Sequence, residues 1–173
     1  MLLLLGALLL PQAPAHAGVP AFDSTVAAVN AVTVSVAQVR SGLDQLRRAA
    51  WNRESSGRVL ELTSNLRGKC RATIVEIERA EDIACPDCLD AARQRVVNEW
   101  LRSLRQVRLM ASRCDRELGR MAADRNADSG AVRVRRQLDD QGRRILEALH
   151  PYFEHVQRVR AEFGRAATPP RRS

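Results

Sequence analysis

Aromatic residues are scarce in this chain of 173 residues, at 3 % of the total. Hydrophobic residues still make up 45 % and are mostly Ala, Val and Leu, which favours helices packed on helices over a β-sandwich. Lysine is nearly absent too: Lys69 is its single example, so the net charge of +8 comes from arginine. The sequence also lacks Gly-x-Ser-x-Gly, His-Glu-x-x-His and any glycine-rich phosphate loop. We therefore expect a helical protein without enzymatic activity, cofactor or metal.

The remaining polar residues do not suggest a catalytic constellation. His150 and His155 are five residues apart, which on one helix places them more than about a hundred degrees apart. The acidic pair Asp139–Asp140 is flanked by arginines, as on a solvated helix face. These groups predict surface chemistry only.

The arginines are spread along the chain among aspartates and glutamates. Pairs such as Glu76/Arg79 and Arg113/Glu117 have the spacing of ion pairs on one helix face. A nucleic-acid surface would gather the cations on one face or run, often with interleaved aromatics. We therefore expect no nucleic-acid partner, while acidic proteins, lipid headgroups and envelope sugars stay open as contacts.

The first residues predict export. Leu2–Leu10 supplies the apolar core of a secretory leader, and Ala15 and Ala17 fit positions −3 and −1 of a cleavage site. We place the cut between Ala17 and Gly18, which makes residues 1–17 a signal peptide. A membrane span would need ~20 apolar residues, more than this run offers. No Lys or Arg precedes the leucines, so a different start codon stays open. The expected location is the periplasm, extending to the cell surface or a pilus.

From Asp23 onward the pattern is helical. Apolar side chains recur in alternating steps of three and four residues, the heptad spacing of helices that pack together. Asp23 or Ser24 offers an oxygen to cap the first helix. The first seam is Val29, Val32, Val36, Val39, Leu43, Leu46 and Ala50, and similar spacing returns in residues 59–77, 97–121 and 138–163.

Polar or proline-containing breaks separate these segments, at residues 52–57, near Cys85–Cys88 and at residues 124–130. Pro151 should kink or restart the last helix. We predict an all-α fold for residues 18–167: an elongated antiparallel bundle of three to four long helices, with a small irregular lobe around Cys-Pro-Asp-Cys. Residues 168–173 should form a disordered basic tail.

Four cysteines in an exported chain predict two disulfides, with Cys70, Cys85, Cys88 and Cys114 as the candidates. Bonded cysteines need Cα atoms within about 7 Å. A straight helix would hold Cys70 roughly 20 Å from Cys85, and another would separate Cys88 from Cys114. The remaining pairs are Cys85–Cys88 and Cys70–Cys114.

The second pair raises a question of register. In a simple hairpin turning at Pro86, Cys114 is ~11 residues, near 16 Å, from the level of Cys70. Either an irregular lobe shifts the register or the pairing is different. A redox dithiol at Cys-Pro-Asp-Cys would normally follow a strand, and a four-thiolate zinc site would need the Cys-x-x-Cys spacing twice. Structural disulfides are the favoured interpretation.

Gly18–Asp23 (Gly-Val-Pro-Ala-Phe-Asp) directly follows the leader and runs into a helix rich in Ala, Val, Gln and Asn. This opening resembles the mature N-terminus of the minor pilin family of type IV secretion systems, the fifth component of the VirB apparatus and its conjugal-transfer counterpart. The likeness covers residues 18–46 well and the remainder only in helical character. The chain departs from the family in being shorter than most members and in its four cysteines.

The resemblance implies a non-enzymatic periplasmic bundle with a small helical appendage, located at the pilus tip or on the secretion stalk. Its partners would be the pilin, the polytopic inner-membrane component and a target-cell surface, and a homo-oligomer stays open. Carried over by position, the residues that engage the apparatus would be Gly18, Val19, Pro20, Phe22 and Asp23, as a short extended hook. The alternative is a free periplasmic binding or chaperone-like protein whose long seam holds a client.

Overall fold

The computed structural model describes residues 18–123 and 126–166. They form α1 (Gly18–Trp51), α2 (Ser56–Ile83), a 3₁₀ turn (Pro86–Cys88), α3 (Ala91–Ala122) and α4 (Ala127–Ala166). The predicted all-α bundle is confirmed, with four long helices. The predicted signal peptide, residues 1–17, and the predicted tail, residues 168–173, lie outside the described residues.

Side-chain contacts show that neighbouring helices run antiparallel. Between α3 and α4, Arg158 lies 2.9 Å from Glu99, and Gln141 donates to Glu117 further along α3. Residue numbers therefore fall along α4 as they rise along α3. Residue pairs show the same relation between α1 and α2, between α2 and α3 and between α1 and α4. α2 also touches α4 across the bundle.

One hydrophobic core runs the length of the bundle. The predicted seams meet there, and Trp100 and Tyr152 are its largest fully buried side chains. Two seam positions are offset by one residue: Ala49 and Thr73 are buried, whereas Ala50 and Ile74 are half-buried. A straight α-helix drifts about 20° per heptad, so a strict seam gradually turns away from the core.

Asp115 fixes the register between α2 and α3. Arg67 Nε and Arg71 Nε donate to its two carboxylate oxygens at 3.0 and 3.1 Å. Gly119 leaves room for this contact, because a Cβ there would lie 2.8 Å from the Arg67 guanidinium. Burial alone would raise the pKa of Asp115, but the hydrogen bonds from Arg71 and Arg67 outweigh burial and lower it. The carboxylate therefore stays charged and holds both arginines.

This register makes α3 longer than α2 at one end of the molecule. With Asp115 level with residues 67–71, the start of α3 at Ala91 lies about ten residues, or roughly 15 Å, beyond the end of α2 at Ile83. The segment 84–90 connects the end of α2 to the start of α3 over this distance, and it contains the 3₁₀ turn. The predicted lobe around Cys-Pro-Asp-Cys is therefore a compact connection.

Two expectations about breaks are corrected. Residues 127–130 form the first turn of α4, because Asn126 Oδ1 accepts from the backbone N–H groups of Asp128 and Ser129 at 2.9 and 3.4 Å. Pro151 does not restart a helix, since α4 continues through it to Ala166. The core side chains on either side of this proline hold the helical backbone, with Tyr152 0 % exposed.

By length and composition, residues Asp23–Trp51 of α1 could cross a membrane, with a mean hydropathy of 1.2. A core helix passes the same test, and 44 % of the most apolar 18-residue window of this stretch is buried inside the bundle. It is the one such helix among the described residues.

Candidate protein-contact end of the bundle

The segment that resembles the pilin family is helical. α1 begins at Gly18, so the expected extended hook is wrong, and neither Asp23 nor Ser24 caps the helix. A proline is tolerated in a first turn because the N–H that it lacks would have no partner within the helix. The side chains of residues 18–22, which include Gly18, Val19, Pro20 and Phe22, lie outside the described part. Asp23 is exposed.

The start of α1 lies level with the cysteine turn. Ser35 Oγ contacts Thr73 Oγ1 at 2.8 Å, which sets the register between α1 and α2. Following both helices from this pair toward the end of α2 brings residues 18–23 level with residues 85–90. We call this region the N-terminal end of the bundle: residues 18–25, the connection 84–90 and residues 91–101 of α3.

A disulfide closes the connection. Cys85 and Cys88 are bonded, with Cα atoms 5.3 Å apart, and the Cys88 N–H donates to the Cys85 carbonyl oxygen at 3.0 Å. Asp90 then caps α3 by accepting from the N–H groups of residues 92 and 93. Asp87 Oδ1 accepts from Gln94 Nε2 at 2.9 Å, which ties the turn to α3. The predicted disulfide Cys85–Cys88 is present and closes a short turn.

Cys70 and Cys114 meet in the core between α2 and α3. Both are free thiols, 0 and 1 % exposed. A hydrogen bond with Cys114, aided by burial, raises the pKa of Cys70, so its thiol stays protonated at neutral pH. The register shift that this pairing required is present, since α3 extends beyond α2. The structure brings the predicted partners into contact without a bond, so their disulfide stays a prediction.

An apolar groove lies beside the N-terminal end of the bundle. Its volume is about 300 Å³, and it separates α1 from α2. Ile83 is 44 % exposed there, although it is a large apolar side chain. The other residues lining it include Ala27, Ala28, Ala31 and Ala80. Ile83 and these alanines together form a small apolar surface that is open to solvent beside the start of α1.

The arginines form the expected ion pairs. Arg79 lies 3.0 Å from Glu76, and Arg113 lies 2.6 Å from Glu117. Hydrogen bonding to Glu117 raises the pKa of Arg113 further. These pairs lie on solvated helix faces, where each contributes little to stability.

The histidines lie apart. The His150 side chain is 80 % exposed, whereas that of His155 is 21 % exposed and lies 3.8 Å from Glu99. Asp139 is exposed, and Asp140 pairs with Arg143 and Arg144 at 2.9 and 2.8 Å. Within the described ranges, no group of three or more His, Cys, Asp or Glu side chains is placed to hold a metal ion.

The exposed surface around Trp51 was not predicted from the sequence. Trp51 is 88 % exposed at the end of α1, in the lining of an open cleft of about 980 Å³. The sequence carried a signal for it, because Trp51 lies one position past the seam and directly before a polar break. No protein-family model, curated protein or solved structure matches this chain.

Proposed function

We propose that this chain is a non-enzymatic, exported assembly subunit of a type IV secretion or conjugation apparatus, similar in role to the minor pilin of the pilus tip or stalk. It acts through protein–protein contacts with the pilin and the polytopic inner-membrane component. It works in the periplasm and at the cell surface. The contact region is the start of α1.

The observation that carries the proposal is the sequence Gly-Val-Pro-Ala-Phe-Asp at residues 18–23, directly after a run with the features of a secretory leader. Cleavage after Ala17 would place this segment at the free N-terminus. A free N-terminus at the end of a long rod can reach a partner without steric conflict from the remainder of the bundle.

The geometry of the N-terminal end of the bundle supports the same assignment. α2 stops at Ile83, while α1 and α3 continue past it, so the start of α1 has fewer helical neighbours than its middle. The exposed Ile83 and the alanine-lined groove lie directly beside it. A partner helix or peptide could bury this apolar surface together with residues 18–23.

The alternative of a client-holding periplasmic protein is less favoured. It needs an accessible apolar seam, but Val29, Val32 and Leu46 are 0–1 % exposed. A client would have to open the bundle and lose this packing, at roughly 2 kcal/mol or more for each large side chain.

The test is co-purification from envelopes of cells that carry the apparatus. The variant combines Val19→Ser, Pro20→Ala and Phe22→Ser, and keeps Ala17 and Gly18 so that the cleavage site is unchanged. We expect at least a tenfold loss of bound pilin and polytopic component, because a contact built on two apolar anchors contributes a few kcal/mol. Helicity by circular dichroism should not change.

A matched control carries Val75→Ser, Leu109→Ser and Val132→Ser. These side chains are also exposed and apolar, at 50, 63 and 41 %, but lie elsewhere on the surface. Equal recovery of the apparatus proteins with the start-of-α1 variant and the wild type would exclude the proposed contact. Equal loss with both variants would mean that apolar surface in general, and not this segment, drives association.

A further inference from the structure

An open cleft of about 980 Å³ lies far from the N-terminal end of the bundle, where α1 ends beside the first half of α4. Its size is within the ~300–1,000 Å³ of typical small-ligand sites. Six of its nine lining residues carry charged or amide groups, and their aliphatic parts and Trp51 add apolar surface. The lining residues are Asp44, Arg47, Arg48, Ala50, Trp51, Asn52, Arg135, Leu138 and Asp139.

Trp51 presents a flat apolar surface to this cleft. Its side chain is 88 % exposed, whereas the other tryptophan, Trp100, is fully buried. Exposing an indole forfeits the free energy that its burial would supply, so the bundle gains nothing from the large ring here. An exposed tryptophan among polar groups is a surface on which a ligand can stack.

The turn after Trp51 is rigid. The Glu54 N–H donates to the Ala49 carbonyl oxygen at 3.0 Å, and the Arg53 N–H donates to that of Ala50 at 3.3 Å, which is a Schellman motif. Arg53 adopts the left-handed φ of 54° that this motif needs. Arg135 Nη2 donates to the Glu54 carbonyl oxygen at 2.6 Å and ties the turn to α4. The backbone under the indole is therefore fixed before any ligand arrives.

The cleft is lined by charged groups of both signs, three arginines and two aspartates. Arg47 Nη2 lies 3.8 Å from Asp139 Oδ1, with side chains 46 and 91 % exposed, so this pair is weak and open to a ligand. Arg48 Nε donates to the Asp44 carbonyl oxygen at 3.3 Å, which leaves the Asp44 carboxylate out of that bond. Arg135 Nε is buried and has no acceptor among the described residues. The cleft thus offers both donors and acceptors around one aromatic face.

We propose that this Trp51 cleft binds a short carbohydrate chain. A sugar has an apolar C–H face that stacks on an indole, and hydroxyl groups that each donate and accept a hydrogen bond. The carboxylates of Asp44 and Asp139 accept from hydroxyls, and Arg47 and Arg48 donate to them. The lining holds three arginines and two aspartates, so a polyanion would meet repulsion as well as attraction, whereas the hydroxyl groups of a neutral sugar can pair with both kinds of group. An apolar helix would leave the charged lining desolvated. The site is separate from the contact region of the proposed function.

The first experiment screens the labelled full-length mature protein on a glycan array and then titrates the captured oligosaccharide against intrinsic fluorescence. Because Trp100 is buried, Trp51 supplies the solvent-exposed emission, and stacking of a sugar should quench and shift it saturably. Trp51→Ala should weaken binding about tenfold or more by calorimetry. Leu109→Ala, which truncates an apolar side chain on α3 that is 63 % exposed, should bind as the wild type does.

A second variant distinguishes a carbohydrate from an anionic ligand, because it should change the binding affinity of the two in opposite directions. Asp139→Asn removes a strong acceptor from a side chain 91 % exposed, so the fold is not at risk. A carbohydrate ligand should bind several-fold more weakly to this variant, because the carboxylate no longer accepts from a hydroxyl. A polyanion such as hexaglutamate should bind the same variant more tightly, because repulsion is relieved.

Three outcomes would overturn the proposal: no glycan captured on the array, glycan binding that survives Trp51→Ala, or tighter glycan binding to Asp139→Asn. Saturable binding of hexaglutamate without glycan binding would assign the cleft to an acidic peptide instead. None of these results bears on the start-of-α1 variant, whose failure in co-purification concerns residues 18–23 alone.

Discussion

Tyr152 illustrates how a buried polar group is accommodated in this core. Thr33 Oγ1 donates to the Val29 carbonyl oxygen at 2.6 Å, so the Tyr152 hydroxyl is the donor to Thr33 Oγ1 at 3.0 Å. Burial raises the pKa of Tyr152 to about 12, because the tyrosinate would have to form without access to water. The hydroxyl thus joins α1 to α4 only while it keeps its proton.

This coupling predicts a pH dependence. The folded pKa lies above the unfolded value of ~10, so the contribution of Tyr152 to stability is complete below pH ~10 and is lost as the pH rises toward 12. Tyr152 is the single tyrosine, so tyrosinate absorbance reports this site alone. We expect a midpoint near 12 in buffer and ~10 in concentrated urea. A midpoint near 10 in the folded protein would contradict this account.

Arg53 carries backbone strain at the end of α1. A non-glycine residue at φ 54° costs roughly 1 kcal/mol, so Arg53→Gly should raise the free energy of unfolding by about 0.5–1 kcal/mol in urea titrations. Arg53→Ala is the control, because it removes the side chain and keeps the strain. If the glycine variant is no more stable than the alanine variant, strain at this turn is not the cause.

The two core thiols predict a second disulfide. In an oxidising compartment, thiol–disulfide exchange with an exported protein disulfide would remove two protons and two electrons from Cys70 and Cys114 and join their sulfur atoms. We expect a nonreducing mass map of protein purified from the periplasm to contain the linked peptides. The bond should stabilise the fold by about 2–4 kcal/mol. Complete alkylation of both cysteines after unfolding without reductant would contradict the prediction.

At the scale of the helices, the sequence predicted what depends on local periodicity. The seams of α3 and α4 are buried as expected from Val97 to Met121 and from Leu138 to Phe163, because the spacing of apolar residues alone decides which face turns inward. Cys-Pro-Asp-Cys was expected to be irregular, and its turn and disulfide agree with that.

The features that were missed depend on several elements at once. Nothing local indicates that Arg67 and Arg71 both reach Asp115, yet these contacts set how far α3 extends past α2. Of the two outcomes expected at Pro151, a kink or a restart, the restart does not occur, because core packing on both sides outweighs the lost hydrogen bond. The Trp51 cleft could not be predicted from local sequence, because it forms only where α1 packs against α4. Arg135 and Asp139 lie more than eighty residues from Trp51 in the sequence.

At the scale of the whole molecule, the bundle has two different ends. One end brings the start of α1 level with a disulfide-closed turn and an apolar groove. At the other, the Trp51 cleft combines an exposed aromatic surface with charged groups of both signs. A rod of this kind could engage an assembly at one end and a second ligand at the other, and the two ends can be altered independently.

The central claim is that the start of α1 contacts the secretion apparatus, and site-specific photocrosslinking tests it most directly. A benzoylphenylalanine is placed at Phe22, with Leu109 as the control site, in cells carrying the assembled apparatus. We predict crosslinks from position 22 to the pilin or the polytopic component, and none from position 109. Equal yields at both positions, or no adduct with an apparatus protein at position 22, would contradict the account.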